Sequence, residues 1–389
     1  MSLNVLDADN TGGRDEAGLK ASGGKRSLVL LVCDGAVENY ENIKKLFALL
    51  DLPSLDVPFR FTTDIKMLRI MLGLSGGNPK FGCPYCLGCQ IPPGKKGEYV
   101  KGLNRTLGFC KFSHEKYTAA GSVKSDANKF YNCIETPIDI MSGEDDTWTL
   151  ALYPPPVLHC VLLGGPNDLL IELKNKYPRL YAGFLDRFGL QMSEGLGGRF
   201  NGVSIRFILS TDRVLEDLKG WIPDKTIGEA VVDYFKATWN VYLVCMKQEI
   251  DDEHPKVFKA FKEKFLRVKK LTGVSHTVKV HIACEHMSEY MVNCQSTFSW
   301  TSDEFIESLH NKLRRFEENH SLAIKKRRKF GSLLHQQRLL SSIGLFNYEN
   351  LGRCFFYLDL LSLFIILHRI CYIQKLVSTL PQYQYHHQH

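Results

Sequence analysis

The chain reads as an α/β unit near its N-terminus that is interrupted by a large helical domain, and three observations carry that reading. Strand and helix patterns alternate between Ser27 and Gly77. Beyond Cys86 the strand patterning stops and helical spacing prevails for about two hundred residues. At the two ends of that stretch stand Cys83-x-x-Cys86 and His281-x4-His286, two halves of one possible metal tetrad.

Composition bounds the molecule. With 389 residues, 44% hydrophobic and 11% aromatic, the chain has apolar surface for a large core spread over two or three structural units. Twelve cysteines without an apolar N-terminal signal segment point to a reducing compartment, where thiols are buried or bind metal. The net charge of +7 is mild, so local clusters matter more than the total.

Residues 1–27 are rich in Gly, Asp and Lys and read as a disordered terminus in which only SLNVL suggests a strand. The α/β unit occupies 28–80. SLVLLVC, from Ser27 to Cys33, is an apolar run of strand length, and GAVENYENIKKLFALLDLP has helical spacing at Tyr40, Ile43, Leu46 and Leu50. A second strand is expected over Val57 to Thr63, then a short apolar helix in KMLRIMLGL closed by Ser75-Gly76-Gly77. Two parallel strands joined by a helix would bring Asp34 and Asp64 to one edge.

The helical domain is placed at 81–300. Its clearest helix runs from Pro255 to Leu271, with Val257, Phe258, Phe261, Phe265 and Val268 on one face and Gly273 after its end. Lys256, Lys259, Lys262 and Lys269 read as its solvated side. A second helix is expected over Ile227 to Met246. A core helix with a basic stripe follows at 301–335, and 336–389 is a tail with an apolar helix.

Cys83-Pro-Tyr-Cys86, followed by Gly88, suits a tight knuckle that turns two thiolates toward one ion, and His281 with His286 supplies the missing ligands of a zinc tetrad. Cys89 or Cys284 is the alternative for one ligand. Five residues of regular helix turn about 500°, so the two histidines would stand roughly 140° apart and meet one ion only where the helix begins or breaks. A zinc deaminase is excluded, because its H-x-E before P-C-x-x-C is absent.

The acidic candidates are Asp34, Asp64 and Glu307. Thr301-x-x-Glu304 reads as a capping box that opens a helix with Glu307 in its first turns. Carboxylates at strand ends and on such a helix are the ligand type that holds paired Mg²⁺ or Mn²⁺ for phosphoryl transfer. The bland alternatives are a helix N-cap for Asp64 and helix-dipole complementation for Glu304 and Glu307.

Between residues 312 and 329, Lys312, Arg314, Arg315, Lys325, Lys326, Arg327, Arg328 and Lys329 face only Glu317 and Glu318. Such a stripe suits DNA phosphates, with a solvated charge run or a nuclear-import signal as the plainer alternatives. Phe355 to Leu367 is very apolar but, interrupted by Asp359 and followed by His368 and Arg369, falls short of the roughly eighteen residues of a membrane span.

FTTDIKMLRIMLGL with FGCPYC, then PPPVLHCVLLGGPNDLLIELK, then KVHIACEHMSEYM and SWTSDEFIESLH resemble the Transib-type transposases, the V(D)J recombinase catalytic core and related transposon-encoded animal proteins. Order and spacing agree over roughly residues 28–345. The resemblance implies an RNase H-like sheet with two catalytic Asp, a helical insertion clasped by a Cys2His2 zinc, and a final catalytic Glu. By it Asp64 matches the second Asp, Glu307 the Glu, and Cys83, Cys86, His281 and His286 the zinc ligands. It also implies a nuclear protein that acts on DNA with Mg²⁺ or Mn²⁺, as a homodimer.

One departure stands out. The RNase H-like fold has three antiparallel strands before its first helix, and here one convincing strand precedes ENYENIKKLF, so the core reads as lacking its opening hairpin. Asp34 would then end the third strand and does not match the first catalytic Asp; Asp7 or Asp9 after SLNVL would be a compressed substitute. Three functions follow: a DNA strand transferase, a catalytically inert zinc-stapled module that binds DNA or protein, and a protein tethered to a membrane by the apolar tail.

Overall fold

A computed structural model describes residues 2–4, 27–29, 38–50, 61–76, 79–94, 97–138, 145–192, 198–250, 252–299 and 301. Strands β1 (Ser2–Asn4) and β2 (Ser27–Val29) pair antiparallel, with Leu3 opposite Leu28. The partner expected for β2 was a parallel strand over Val57 to Thr63. Its described part, Phe61 to Thr63, is not in a strand. Those residues lead directly into a helix cap at Asp64, and the Phe61 ring packs edge-on against Phe47 at 5.3 Å.

Helices α1 (Tyr40–Leu50) and α2 (Ile65–Met71) lie against each other. Ile43 and Phe47 of the first and Ile65, Leu68 and Met71 of the second are buried in one continuous core that extends to Phe298. That core therefore joins the α1–α2 region to the helical domain.

Strand patterning does not stop at Cys86, contrary to the sequence reading. Strands β3 (Cys89–Ile91) and β4 (Glu98–Val100) form an antiparallel hairpin with Gln90 opposite Tyr99. Three-residue strands are too short to show a period of two, which is why composition hid them.

The helices then follow in order: α3 (Leu107–Ala119), the one-turn α4 (Thr149–Leu152), a π-helical turn at Leu158–Leu162, α5 (Gly165–Lys176), α6 (Pro178–Phe188), α7 (Gly202–Ser210) and α8 (Asp212–Trp221). After them come α9 (Lys225–Cys245), α10 (His254–Thr272), α11 (Val278–Glu285) and α12 (Met287–Cys294).

Helix α9 is the axis of this domain, packed against α7, α8, α10 and the π-helical turn. Asp224 caps it by accepting the N–H groups of Thr226 and Ile227 at 2.9 and 3.2 Å. Its Tyr234 ring sits 5.6 and 5.7 Å from Phe261 and Phe265 of α10. Gly165, at the start of α5, permits this packing, since a Cβ there would stand 2.1 Å from the Tyr234 hydroxyl.

Helix α10 begins with a proline in its first turn and ends at Gly273, whose φ of +77° few other residues tolerate. Phe258, Phe261, Phe265 and Val268 are buried. Of the lysines read as solvated, Lys256 and Lys259 are exposed, Lys262 pairs with Glu285 at 2.7 Å, and Lys269 is buried. Helical periodicity gives the direction of a side chain, not whether another helix covers it, and α11 packs against α10.

Candidate metal centre

Cys83 and Cys86 lie in a knuckle that leads into the β3–β4 hairpin. The turn aims backbone N–H groups at both sulfurs, Tyr85 N at Cys83 Sγ (3.5 Å) and Gly88 N at Cys86 Sγ (3.3 Å), which favours their thiolate forms. Its backbone is clamped from outside. Trp148 Nε1 and Arg105 N donate to the Tyr85 carbonyl at 2.8 and 2.9 Å, and Thr149 Oγ1 donates to the Pro84 carbonyl at 2.8 Å.

Gly88 is required by contact. A Cβ at this position would lie 2.5 Å from the Val100 carbonyl oxygen and 3.0 Å from Cys86 Sγ. Gly102 faces it, with its own virtual Cβ 2.6 Å from the Leu87 carbonyl oxygen. The two glycines let the knuckle lie flat on the end of β4.

The histidines come from a broken helix. Helix α11 ends at Glu285, α12 starts at Met287, and His286 between them has φ −106° and ψ −23°. This break removes the angular separation a regular helix would impose. The two imidazoles turn their Nε2 atoms to within 3.2 Å of each other, and His281 Nε2 lies 3.3 Å from Cys86 Sγ.

All four side chains are fully buried, and their ligand atoms lie within 4.8 Å of one another. A tetrahedral zinc with ordinary Zn–S and Zn–N bonds has ligand-to-ligand edges of about 3.3–3.8 Å. The donor set and its spacing therefore fit, and Cys83, Cys86, His281 and His286 can hold a metal ion such as zinc. Cys89 and Cys284 are outside the cluster, with Cys284 buried and its pKa pushed up by that burial.

Electrostatics inside the group are uneven. Burial, then donation of a hydrogen bond to Cys86, pushes the Cys83 thiol well up. Cys86 is pushed far down, first by the bond from Cys83 and then by the two imidazoles, against its own burial. One proton is thus shared by the sulfur pair, with the negative charge on Cys86. His286 is pulled down, mainly by burial, which keeps it the neutral imidazole that a metal requires.

Outside the ligands, Glu289 Oε2 lies 3.0 Å from His286 Nδ1, and Glu289 also pairs with Lys101. Tyr99 of β4 stacks on His281, with centroids 4.8 Å apart. None of these supports was read from the sequence. Only Glu289 carried a local sign, its i,i+3 spacing from His286.

The acidic candidates are placed only in part. Asp64 is the N-cap of α2, its Oδ1 accepting the Met67 N–H at 2.8 Å. Asp7, Asp9, Asp34 and Glu307 lie outside the described residues, as do Lys312, Arg314, Arg315, Lys325, Lys326, Arg327, Arg328, Lys329 and the segment Phe355 to Leu367. Among the described residues no helix is long and apolar enough to cross a membrane.

No protein-family profile matches the chain, and no curated protein is significantly similar to it.

Proposed function

We propose that the chain is a transposon-derived protein of the DDE transposase and recombinase type, stapled by a structural Cys2His2 zinc and working on DNA in the nucleus, as a homodimer. The observation that carries this reading is the buried tetrad itself. Its two halves are separated by nearly two hundred residues. A structural ion that closes so long a loop works as a clasp for everything between, and the entropy of closing the loop grows only slowly with its length. That is the arrangement implied by the resemblance in KVHIACEHMSEYM and FGCPYC.

In such an enzyme Asp64 and Glu307 would hold divalent cations, which would supply water activation and stabilisation of the leaving oxygen of a phosphodiester. Asp64 caps α2 through Oδ1, which engages one of its two oxygens. The second reading, a catalytically inert module that keeps the zinc staple and binds DNA or protein, is favoured by that capping role, which accounts for Asp64 without any ion.

Two measurements test the proposal together. The purified chain is expected to contain about one zinc, lost in Cys83→Ser and in His286→Ala. It is also expected to bind DNA with strong salt dependence and little sequence preference, and replacing Lys325 to Lys329 with Gln should flatten the plot of log affinity against log salt. Full zinc in both ligand variants removes the staple. A salt slope unchanged by the Gln substitutions removes the basic stripe from the DNA contact.

A further inference from the structure

Arg105 is fully buried, and among the described residues none of its partners is a carboxylate. Nε donates to the Cys83 carbonyl at 3.1 Å, and Nη2 to the Phe81 and Tyr131 carbonyls at 3.3 and 3.5 Å. Nη1 lies 3.4 Å from Cys133 Sγ and 3.9 Å from Cys110 Sγ. Both thiols are themselves buried beside the same guanidinium nitrogen, and Cys133 Sγ also faces the Tyr131 carbonyl at 3.8 Å.

A guanidinium taken wholly out of water is costly unless an anion accompanies it, and carbonyl dipoles offset only part of that cost. With a divalent ion bound, the neighbouring centre would bring no net charge, since two thiolates and two neutral imidazoles would balance it. The dithiol is the acidic group within reach. The hydrogen bond from Cys133, then the Arg105 charge, hold Cys110 at about 7 against its burial. Cys133 moves up, because it donates that bond and is buried.

The segment that carries Cys133 is under strain. Tyr131 and Asn132, immediately before it, have φ of +53° and +66°, a left-handed conformation that non-glycine residues adopt at a cost. Tyr131 is 36% exposed, Cys133 bridges to Leu74, and Ser75 N to Asn132 O (2.8 Å) and Ile134 N to Gly73 O (2.9 Å) hold the turn on either side of it. Both sulfurs are fully buried, so a hydroperoxide reaches them by local opening.

We infer that Cys110 and Cys133 form a redox-active dithiol, oxidised to a disulfide by hydroperoxides, and that its oxidation loosens the Cys83 side of the metal knuckle by removing the counter-charge of Arg105. The Cys110 thiolate attacks the peroxide O–O bond, gaining oxygen as a sulfenic acid while the other oxygen leaves as hydroxide or alkoxide. The Cys133 thiol then displaces that hydroxyl as water, forming the S–S bond. Two electrons pass from the dithiol to the peroxide. Arg105 is left without an anion, and its bond to the Cys83 carbonyl is the direct link to the knuckle. The effect on the metal rests on the zinc reading above; the disulfide does not.

The test uses the full chain as purified, exposed to about one equivalent of hydrogen peroxide, alkylated under denaturing conditions and mapped as peptides without reduction, while zinc release is followed with a colorimetric chelator. The expected result is a Cys110–Cys133 linked peptide that appears before Cys83 or Cys86 is oxidised, with zinc release following it. In Cys133→Ser, or in Cys133→Ala if the serine variant does not fold, release at the same dose should slow severalfold. Recovery of Cys110 and Cys133 as free thiols while Cys83 and Cys86 are oxidised overturns the dithiol. A linked peptide with zinc release as fast in the variants as in the parent overturns its coupling to the knuckle. A protein that carries no zinc fails the zinc reading alone, and the linked peptide still decides the dithiol.

Discussion

Glu289 reaches back one turn of α12 to put Oε2 3.0 Å from His286 Nδ1, and its carboxylate also pairs with Lys101 just beyond β4. A carboxylate there accepts from Nδ1–H, so the pairing would leave the Nε2 lone pair for a metal ion held with His281 and the two sulfurs. It also ties the helix break that supplies both histidines to the hairpin that follows both cysteines. Outer partners of this kind commonly set metal affinity by one to two orders of magnitude.

Glu289→Ala is accordingly expected to weaken zinc retention by about tenfold to a hundredfold, with Glu289→Gln less affected because the amide oxygen still accepts from Nδ1. Lys101→Met should fall between the parent and Glu289→Ala. Competition against a chelator of known affinity checks the order. Equal retention in the parent and Glu289→Ala would sink the role given to the carboxylate.

Zinc binding is expected to release protons, with affinity rising with pH. In the metal-free centre burial and the bond to Cys86 keep the Cys83 proton in place well above the ordinary thiol range. A metal needs that sulfur as a thiolate. Since the bound state holds fewer protons than the free state, acid favours the free state. Calorimetric titrations in buffers of different ionisation enthalpy should give enthalpies that scale with the buffer, and binding at a lower pH should be weaker. Enthalpies independent of the buffer would contradict the protonation pattern.

Gly88→Ala should damage the knuckle without touching a ligand. The added Cβ would meet the Val100 carbonyl oxygen at 2.5 Å and the Gly102 nitrogen at 3.2 Å, both backbone atoms that cannot swing aside. Overpacking of this sort costs about 1–3 kcal/mol. Denaturant unfolding of the zinc-loaded protein should show the loss, accompanied by faster zinc exchange. A variant as stable as the parent would mean that the hairpin relaxes freely.

What the sequence revealed depended on how local its causes were. Helices α9 and α10 were legible because periodicity and end signals coincide, Pro255 and Gly273 above all. That the histidines need a helix start or break was legible by elimination, since a regular helix cannot bring residues five apart onto one ion; the structure shows the break, at His286. The hairpin β3–β4 was not legible, nor was burial of Lys269, because each depends on what lies across from it in space. Arg105 is the clearest case. A buried arginine whose partners are carbonyls and thiols of five residues leaves no mark in its own neighbourhood.

The last expectation concerns activity, and it rests on counting carboxylates against charge. Two divalent cations side by side bring roughly four positive charges into a small volume, of which a DNA phosphate offsets only part, so the protein must supply several carboxylates. Asp64 has one oxygen engaged as the α2 cap, and Glu307 is the other residue the resemblance implies. Among the described residues the three-residue pair β1–β2 is what precedes α1, Asp7 follows β1 in the sequence, and neither Asp7 nor Asp34 lies among the described residues. Two carboxylates leave one cation position without enough negative charge. The water nucleophile would then lack one source of activation, and the in-line displacement would lack support at one of its two oxygens. Incubated with DNA and Mg²⁺ or Mn²⁺, this 389-residue chain is expected to show no nicking or strand transfer above background. Cleavage that Asp64→Asn or Glu307→Gln abolishes would overturn that expectation, and Asp34→Asn and Asp7→Asn assayed separately would then identify the third carboxylate.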